Sequence, residues 1–226
     1  MRLRYEWDGS EPEPGQFVGV RAGDSLDPFL PRPFFVHDGE ERGISLLFKV
    51  RGRGTAAIAA GQSGEVLVSA PRGSGFDIDT GGSAALVGGG VWVAPLKLLS
   101  RRLRERGVDH DIYLEAPAGA PEEYLGWLGT GYTGAEILPT DGSSGALVRA
   151  LPDLGGYETV YVSGDRATLS GVADMRPDAQ LAVRERMACM DGSCYGCVVP
   201  VRSGAGVYYR RVCTEGPVFS GRDLAW

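Results

Sequence analysis

Short runs rich in β-branched and aromatic residues, each closed by a turn cluster, occupy the chain up to about Phe76: "GQFVGVRA", "PFFVHD", "ISLLFKVRG" and "GEVLVSAP". This rhythm predicts a small antiparallel barrel or sandwich. From about Ala84 the pattern changes: "AALVGG" reads as a buried strand and "APLKLLSRRLRERG" as an amphipathic helix closed by Gly107, with "DIYLEA" and "ETVYVSG" as further strands. Strands alternating with helices predict a parallel sheet. From about Arg186 a cysteine-rich tail follows, in which "GVYYRRV" predicts one short strand. The expected organisation is therefore β plus α/β: an antiparallel barrel over residues 1–80, a parallel-sheet domain over 81–180 and a tail over 181–226. The acidic, Pro-containing "DGSEPEPG" reads as a loop.

A length of 226 residues fits one large domain, or two small ones plus a tail, and 43% apolar residues suffice for a core. The 35 glycines and 14 prolines favour tight turns over long helices. A net charge of −6 with a pI near 5 leaves no basic footprint, so a nucleic-acid partner is not expected. The longest apolar runs, such as "AALVGGGVWVAPLKLL", are interrupted by Gly and Pro and too short for a bilayer, and "MRLRYEWDGSEP" has no apolar signal core. A cytoplasmic location with no membrane partner is the expectation. In such a compartment clustered cysteines are metal ligands more often than disulfides.

All four cysteines, Cys189, Cys194, Cys197 and Cys213, lie in this tail with spacing C-x4-C-x2-C-x15-C. Zinc sites are usually built from two close pairs, each on its own turn. Here three cysteines share one loop and a distant fourth closes the set, the spacing of plant-type 2Fe–2S sites. Gly192 and Gly196 let the loop bend and bring N–H groups near the sulfurs. Such a cluster moves one electron at a time and is commonly wired to a flavin, which handles two. Candidate flavin residues are Arg32 in "LPRPFFV", suited to a pyrophosphate or the ring system, and Gly52, Gly54 and Thr55 in the Gly-rich hairpin of "LLFKVRGRGT". On chemistry alone both motifs are ordinary in β proteins. "LVGGGVWVAP" is a strand, glycine turn and helix start that offers N–H groups to a pyrophosphate, without the G-x-G-x-x-G fingerprint. His37 and His110, each beside an Asp in a polar stretch, read as solvated surface residues, "RRLRER" as the exposed face of a helix, and Asp141 and Ser143 as turn residues. No nucleophile stands with a base, so no catalytic residue is assigned.

The order of "PGQFV", "DPFLPRPFFV", "FKVRGRGT", "APRGSGF", "VGGGVWVAPL", "PTDGSSG" and a terminal cysteine motif closed by "VC-x-x-GPVF" resembles the electron-transfer subunit of class B dihydroorotate dehydrogenase, a branch of the ferredoxin-reductase family. The resemblance runs from about Pro14 to the C-terminus. It implies an FAD-binding barrel, a nucleotide-binding α/β domain and a 2Fe–2S tail. The flavin motif then falls on Arg32, Pro33, Phe34 and Phe35, a second flavin segment on Leu47, Phe48 and Lys49, the phosphate turn on Gly54 and Thr55, and the cluster ligands on the four cysteines. The implied partner is an FMN-containing barrel subunit that oxidises dihydroorotate in pyrimidine biosynthesis, in a heterotetramer of two chains each. With 226 residues this chain is not that barrel, which alone takes roughly 250. The implied role is a relay from the partner's FMN through the cluster and FAD to an acceptor, NAD in the family.

The chain departs from that pattern in four places. Phe35 stands where the flavin motif usually ends in Ser or Thr; backbone contacts to FAD would survive. Trp92 stands where "GGGIG-x-AP" has Gly, and "SGDRATL" replaces "CGP-x-x-M", putting Ser163 and Asp165 in place of cysteine and proline. The N-terminus is short, so the first barrel strand is expected to be absent or truncated. Two of these changes fall at the pyridine-nucleotide site, which leaves two readings: NAD binding weakened or lost, with electrons passing to or from another acceptor, or Trp92 turned into the core with NAD still bound. Two wider alternatives also stand, a relay for another oxidoreductase exchanging electrons with ferredoxin, and a non-catalytic binding module held by zinc.

Overall fold

The structure is a computed structural model that describes residues 1–23, 27–40, 43–61, 66–204 and 206–226. The first part contains β1 (Arg2–Glu6), β2 (Phe17–Ala22), β3 (Arg32–Glu40), β4 (Gly43–Leu47), α1 (Arg53–Ala60) and β5 (Val66–Val68). They form a five-stranded antiparallel half-barrel in the order β1-β4-β3-β2-β5. β1 lies beside β4, with Leu3 opposite Leu46, so a strand does precede "PGQFV", against expectation. Its alternation of charged and apolar residues turns Leu3 and Tyr5 toward the barrel core. The "GEVLVSAP" run starts on Gly64 and Glu65, outside the described residues, and its strand is β5.

The second part contains β6 (Ala84–Gly89), α2 (Ala94–Glu105), β7 (His110–Pro117), α3 (Glu122–Gly131), β8 (Glu136–Thr140), α4 (Ala146–Ala150), β9 (Thr159–Ser163), α5 (Arg166–Met175) and β10 (Gln180–Ala182). The tail adds β11 (Val198–Ser203), β12 (Gly206–Arg211), α6 (Val212–Glu215) and β13 (Val218–Ser220). The larger sheet runs β13-β10-β9-β6-β7-β8. β10 to β8 are parallel, as the alternation predicts, but β13 joins β10 antiparallel. The tail is thus a strand of the central sheet, and the division expected at residue 180 runs through β10. β11 and β12 form a separate hairpin.

α2 decides how the parts sit together. Leu96, Leu99 and Leu103 recur at helical spacing and are fully buried against the parallel sheet, while Leu98, one step round, enters the core of the half-barrel. Gly107, at φ +71°, ends the helix: its N–H and that of Val108 reach back to the Arg104 and Leu103 carbonyls, a Schellman closure. "RRLRER" is not a free exposed face. Arg101 Nε donates to Asp38 Oδ1 at 3.0 Å and its Nη2 to the Gly39 carbonyl, both on β3, and Arg102 bonds Glu11. The long side chains span to the half-barrel because Leu98 has already brought the helix against it.

Neither histidine is solvated. His110 is half-buried, with Nε2 2.9 Å from Ser100 Oγ and Nδ1 3.0 Å from the Val108 carbonyl. His37 is 3% exposed, its Nδ1 2.9 Å from Ser45 Oγ and its ring packed against Trp127 and Tyr132 of the second domain. Nε2 has no partner among the described residues. Burial first, then the Arg2 charge, lowers its pKa from 6.5 to about 4. As pH falls below 6.5 the unfolded chain takes up a proton that the folded chain refuses, so stability drains away until about pH 4. The loss is of order 2–3 kcal/mol. Urea midpoints followed from pH 7 to 4.5 should therefore fall more steeply for the wild type than for His37→Gln; parallel slopes would contradict this.

Candidate functional site

The residues expected to hold FAD converge at one end of the half-barrel. β3 begins at Arg32, whose Nη1 donates to the Leu30 carbonyl. The guanidinium lies over Gly54, where an added Cβ would come within 2.6 Å of Arg32 Cζ. Only glycine lets the arginine close down on that backbone. Gly52 and Gly54 do not form the hairpin read from the sequence; they open α1, whose first-turn N–H groups lack intrahelical acceptors and carry the positive end of the helix dipole. A guanidinium beside a helix N-terminus is a site for a pyrophosphate. The Thr55 hydroxyl is used in the turn itself, accepting from Arg51 N–H at 2.8 Å and donating to the Gly52 carbonyl at 3.1 Å.

Phe34 and Phe48 are core residues, with ring centroids 4.8 Å apart. Pro33, Phe35 and Leu47 are half-buried, and with Phe48 they line a slot closed by Trp92 and Arg184. Leu47, Phe48 and the exposed Lys49 also border a cleft of about 480 Å³ that reaches Tyr124 and Trp127. Aliphatic and aromatic side chains predominate among the residues of both linings, which suits an aromatic ring system, and Phe35 lends the slot a ring instead of a hydroxyl.

The cysteine loop turns sharply. Met190 and Tyr195 adopt left-handed φ of 61° and 54°, and Gly192 has φ 88°. A left-handed residue with a side chain costs about 1 kcal/mol, a strain kept where function needs the geometry. The turns aim peptide N–H groups at sulfur: Cys194 N–H at Cys189 Sγ, Gly196 N–H at Cys194 Sγ and Cys213 N–H at Cys197 Sγ, each at 3.4 Å. Cys189 and Cys194 lie toward the surface and Cys197 and Cys213 are buried. The thiols are brought together in pairs; among the described residues no three His, Cys, Asp or Glu side chains converge as a ligand group. The nearby Asp191 carboxylate raises the Cys189 pKa, but N–H groups of Asp191 and Cys194 outweigh it and hold the thiol near 7. Burial and the neighbouring Cys197 push Cys213 to about 11. Two thiol pairs, Cys189 with Cys194 and Cys197 with Cys213, each with a peptide N–H aimed at sulfur, are a donor set of the kind that suits an iron–sulfur cluster, whose sulfurs such donors stabilise.

The loop rests directly on the half-barrel. Met190 is 3% exposed and its Sδ faces Gly19 of β2, where an added Cβ would be 3.1 Å away. Arg72 Nη1 donates to the Met190 carbonyl at 3.3 Å. Pro33 and Phe35 share a cavity with Met187 and Pro217 of the tail. The "GPVF" segment is laced in by Ser74 N–H to the Gly216 carbonyl at 2.6 Å and Val183 N–H to the Pro217 carbonyl at 2.8 Å. Met190, Arg72 and Arg184 carry no signal in the sequence as functional positions, since each matters only through a residue more than a hundred positions away or through the turn of another domain.

At the carboxyl end of the parallel sheet a second cleft, of about 180 Å³, opens between the β6 turn and the start of α5. Gly89, Trp92, Glu115, Ser143 and Asp165 line it. Glu115 accepts from Thr140 Oγ1 at 2.8 Å; Asp165 caps α5 by accepting from Thr168 N–H at 2.8 Å and takes a second bond from Ser144 Oγ at 2.7 Å. Trp92 is half-exposed in the short 3₁₀ turn Gly90–Val93, with Arg184 over its ring at 5.2 Å. It does not point into the core.

The iron–sulfur cluster binding domain of dihydroorotate dehydrogenase B matches residues 184–225. The dihydroorotate dehydrogenase B (NAD(+)) electron transfer subunit of Caldanaerobacter subterraneus subsp. tengcongensis is 33% identical, over 98% of this chain and 91% of its own. The corresponding subunit of Lysinibacillus sphaericus is also 33% identical, over 94% of this chain and 87% of its own. Among solved structures, the NADH-dependent reduced ferredoxin-NADP oxidoreductase studied for flavin-based electron bifurcation superposes with a TM-score of 0.73 at 23% identity, covering 96% of this chain and 80% of that one. Phthalate dioxygenase reductase gives 0.55 at 18%, covering 89% and 67%. These two likenesses are of fold. With a third of its residues identical to those subunits over nearly its whole length, the chain belongs to the family of dihydroorotate dehydrogenase B electron transfer subunits.

Proposed function

We propose that this chain is the relay of a dihydroorotate dehydrogenase complex, binding FAD in its half-barrel and a 2Fe–2S cluster in its tail. In this reading it takes electrons from the FMN of a catalytic partner subunit and hands them to an acceptor. The observation that carries it is the seating of the cysteine loop on the flavin strands, Met190 against Gly19 and Met187 beside Pro33 and Phe35. Bound together there, the cluster supplies single-electron steps and the flavin exchange of electrons in pairs.

The residues divide the work. Arg32 and the N–H groups around Gly54 would hold the pyrophosphate, while Pro33, Phe35, Leu47 and Phe48, with Lys49 at the neighbouring cleft, would exclude water from a bound ring. Cys189, Cys194, Cys197 and Cys213 hold the cluster, their sulfurs stabilised by the peptide N–H groups aimed at them. No side chain of this chain acts on dihydroorotate; oxidation of that substrate belongs to the partner. The assembly is two chains of each kind, and the location is cytoplasmic, consistent with the lack, among the described residues, of any helix long and apolar enough to cross a membrane.

Cys194 is exposed, so Cys194→Ser should fold while losing iron, sulfide and the cluster's visible absorbance, with FAD retained. Electron delivery from the partner should fall at least about tenfold, since even outer-shell changes at metal sites cost that much. Zinc in place of iron in the wild-type protein would contradict the reading. Arg32→Ala removes the charge-assisted bonds to phosphate, worth about 1.5–3 kcal/mol, and should weaken FAD binding about 10- to 100-fold in a fluorescence titration of the deflavinated protein. Unchanged affinity would place the pyrophosphate elsewhere.

A further inference from the structure

The curated relatives carry NAD(+) in their names. In open parallel sheets a dinucleotide lies outside the carboxyl ends of the strands, where the strand order reverses, with its pyrophosphate on a glycine turn and a helix N-terminus. Here that place lies between β6 and β9, and the 180 Å³ cleft described above opens at their carboxyl ends. We propose that Trp92, with Glu115 and Asp165, excludes a pyridine dinucleotide from this cleft, so that the relay proposed above serves an acceptor of another class.

Three observations carry this. Trp92 is the one residue, among the described residues, that borders the slot beside Phe35, the cleft at the sheet's carboxyl end and a third cavity of about 130 Å³ beneath β11. Its ring is thus a partition between the flavin slot and the place of the pyrophosphate, and Arg184 stacked at 5.2 Å holds it there. A dinucleotide would have to displace both to bring its nicotinamide to the flavin. Second, the described lining of the cleft contains two carboxylates, Glu115 and Asp165, and no Lys, Arg or His. A pyrophosphate carries two negative charges and would meet repulsion in a confined, low-dielectric space. Third, the other helix start at this cleft, that of α5, already carries a negative group, since Asp165 accepts the Thr168 N–H and also the Ser144 hydroxyl. The glycine turn survives, with Gly88 and Gly89 buried and Gly90 at φ +55°, but its approach is walled by an indole and faced by acids.

The test uses the holoprotein, with FAD and iron quantified first; absence of both cofactors would defeat the relay reading itself, separately from this inference. Calorimetry with ADP-ribose, which has the pyrophosphate but no redox group, is combined with anaerobic stopped-flow mixing with NADH. The wild type should show no ADP-ribose binding tighter than about 1 mM and no fast flavin bleaching, against the micromolar-to-millimolar range of ordinary enzyme substrates. Trp92→Ala, which removes the partition, and Glu115→Gln/Asp165→Asn, which removes the charges and keeps a capping side chain, should each bind ADP-ribose about tenfold or more tighter than wild type. Trp92→Phe should gain less than Trp92→Ala. Micromolar ADP-ribose binding or fast NADH bleaching in the wild type overturns the proposal whatever the variants do. So does the lack of any gain in a variant that retains its FAD and iron.

Discussion

The close seating of the cysteine loop on the half-barrel is the constraint around which the other parts are arranged. Where the Gly73 turn meets the "GPVF" segment, an added Cβ at Gly73 would fall 2.5 Å from Pro217 Cδ, and at Gly216 within 2.6 Å of Phe219. Backbone therefore passes backbone with no room for side chains, and Met190, held in a left-handed turn, drops onto Gly19. The buried cluster that results joins Phe17 of the half-barrel, Leu181 and Val162 of the parallel sheet, and Cys197 and Cys213 of the tail. Two of the four thiols are thus core residues shared by all three parts. For a relay this matters, because electron transfer depends on distance and on its constancy, and a shared core keeps both.

α2 provides the second fixed relation. Its leucines bury toward two different cores, each worth about 1.5–3 kcal/mol, and Arg101 adds bonds to Asp38 and Gly39 at the seam. His37 completes the same seam from the other side, neutral between two aromatic rings. The slot that takes the flavin in the proposed reading lies between these fixed faces, with Trp92 as the wall toward the nucleotide cleft.

Local signals in the sequence were the dependable ones. The three-plus-one cysteine spacing sits almost entirely on one loop, and the alternation of buried strands with "APLKLLSRRLRERG" reports a parallel sheet because each element buries its own stripe. Features made by distant partners were not legible. β13 shows its role only when β10 is beside it, and β1 only when β4 is. His37 looks polar in "FVHDG", yet Ser45, Trp127 and Tyr132 surround it in space. "GRGTAAIAA" reads as a glycine-rich hairpin because a short alanine helix has no apolar stripe to announce it; the helix is fixed by Ile58 entering the barrel core and by the Thr55 turn. The "RRLRER" run misled in the same way, since an arginine that crosses to another domain has the same sequence signature as one in water.

The central claim is that flavin and cluster exchange electrons inside one chain, across the seat of Met190 on β2. Stopped-flow absorbance tests it most directly: the anaerobic holoprotein is given less than one equivalent of a one-electron donor, and redistribution between the flavin and cluster bands is followed over a wide range of protein concentration. The account predicts one redistribution rate that does not change with concentration. A rate that rises in proportion to concentration, as for transfer between separate molecules, would contradict it.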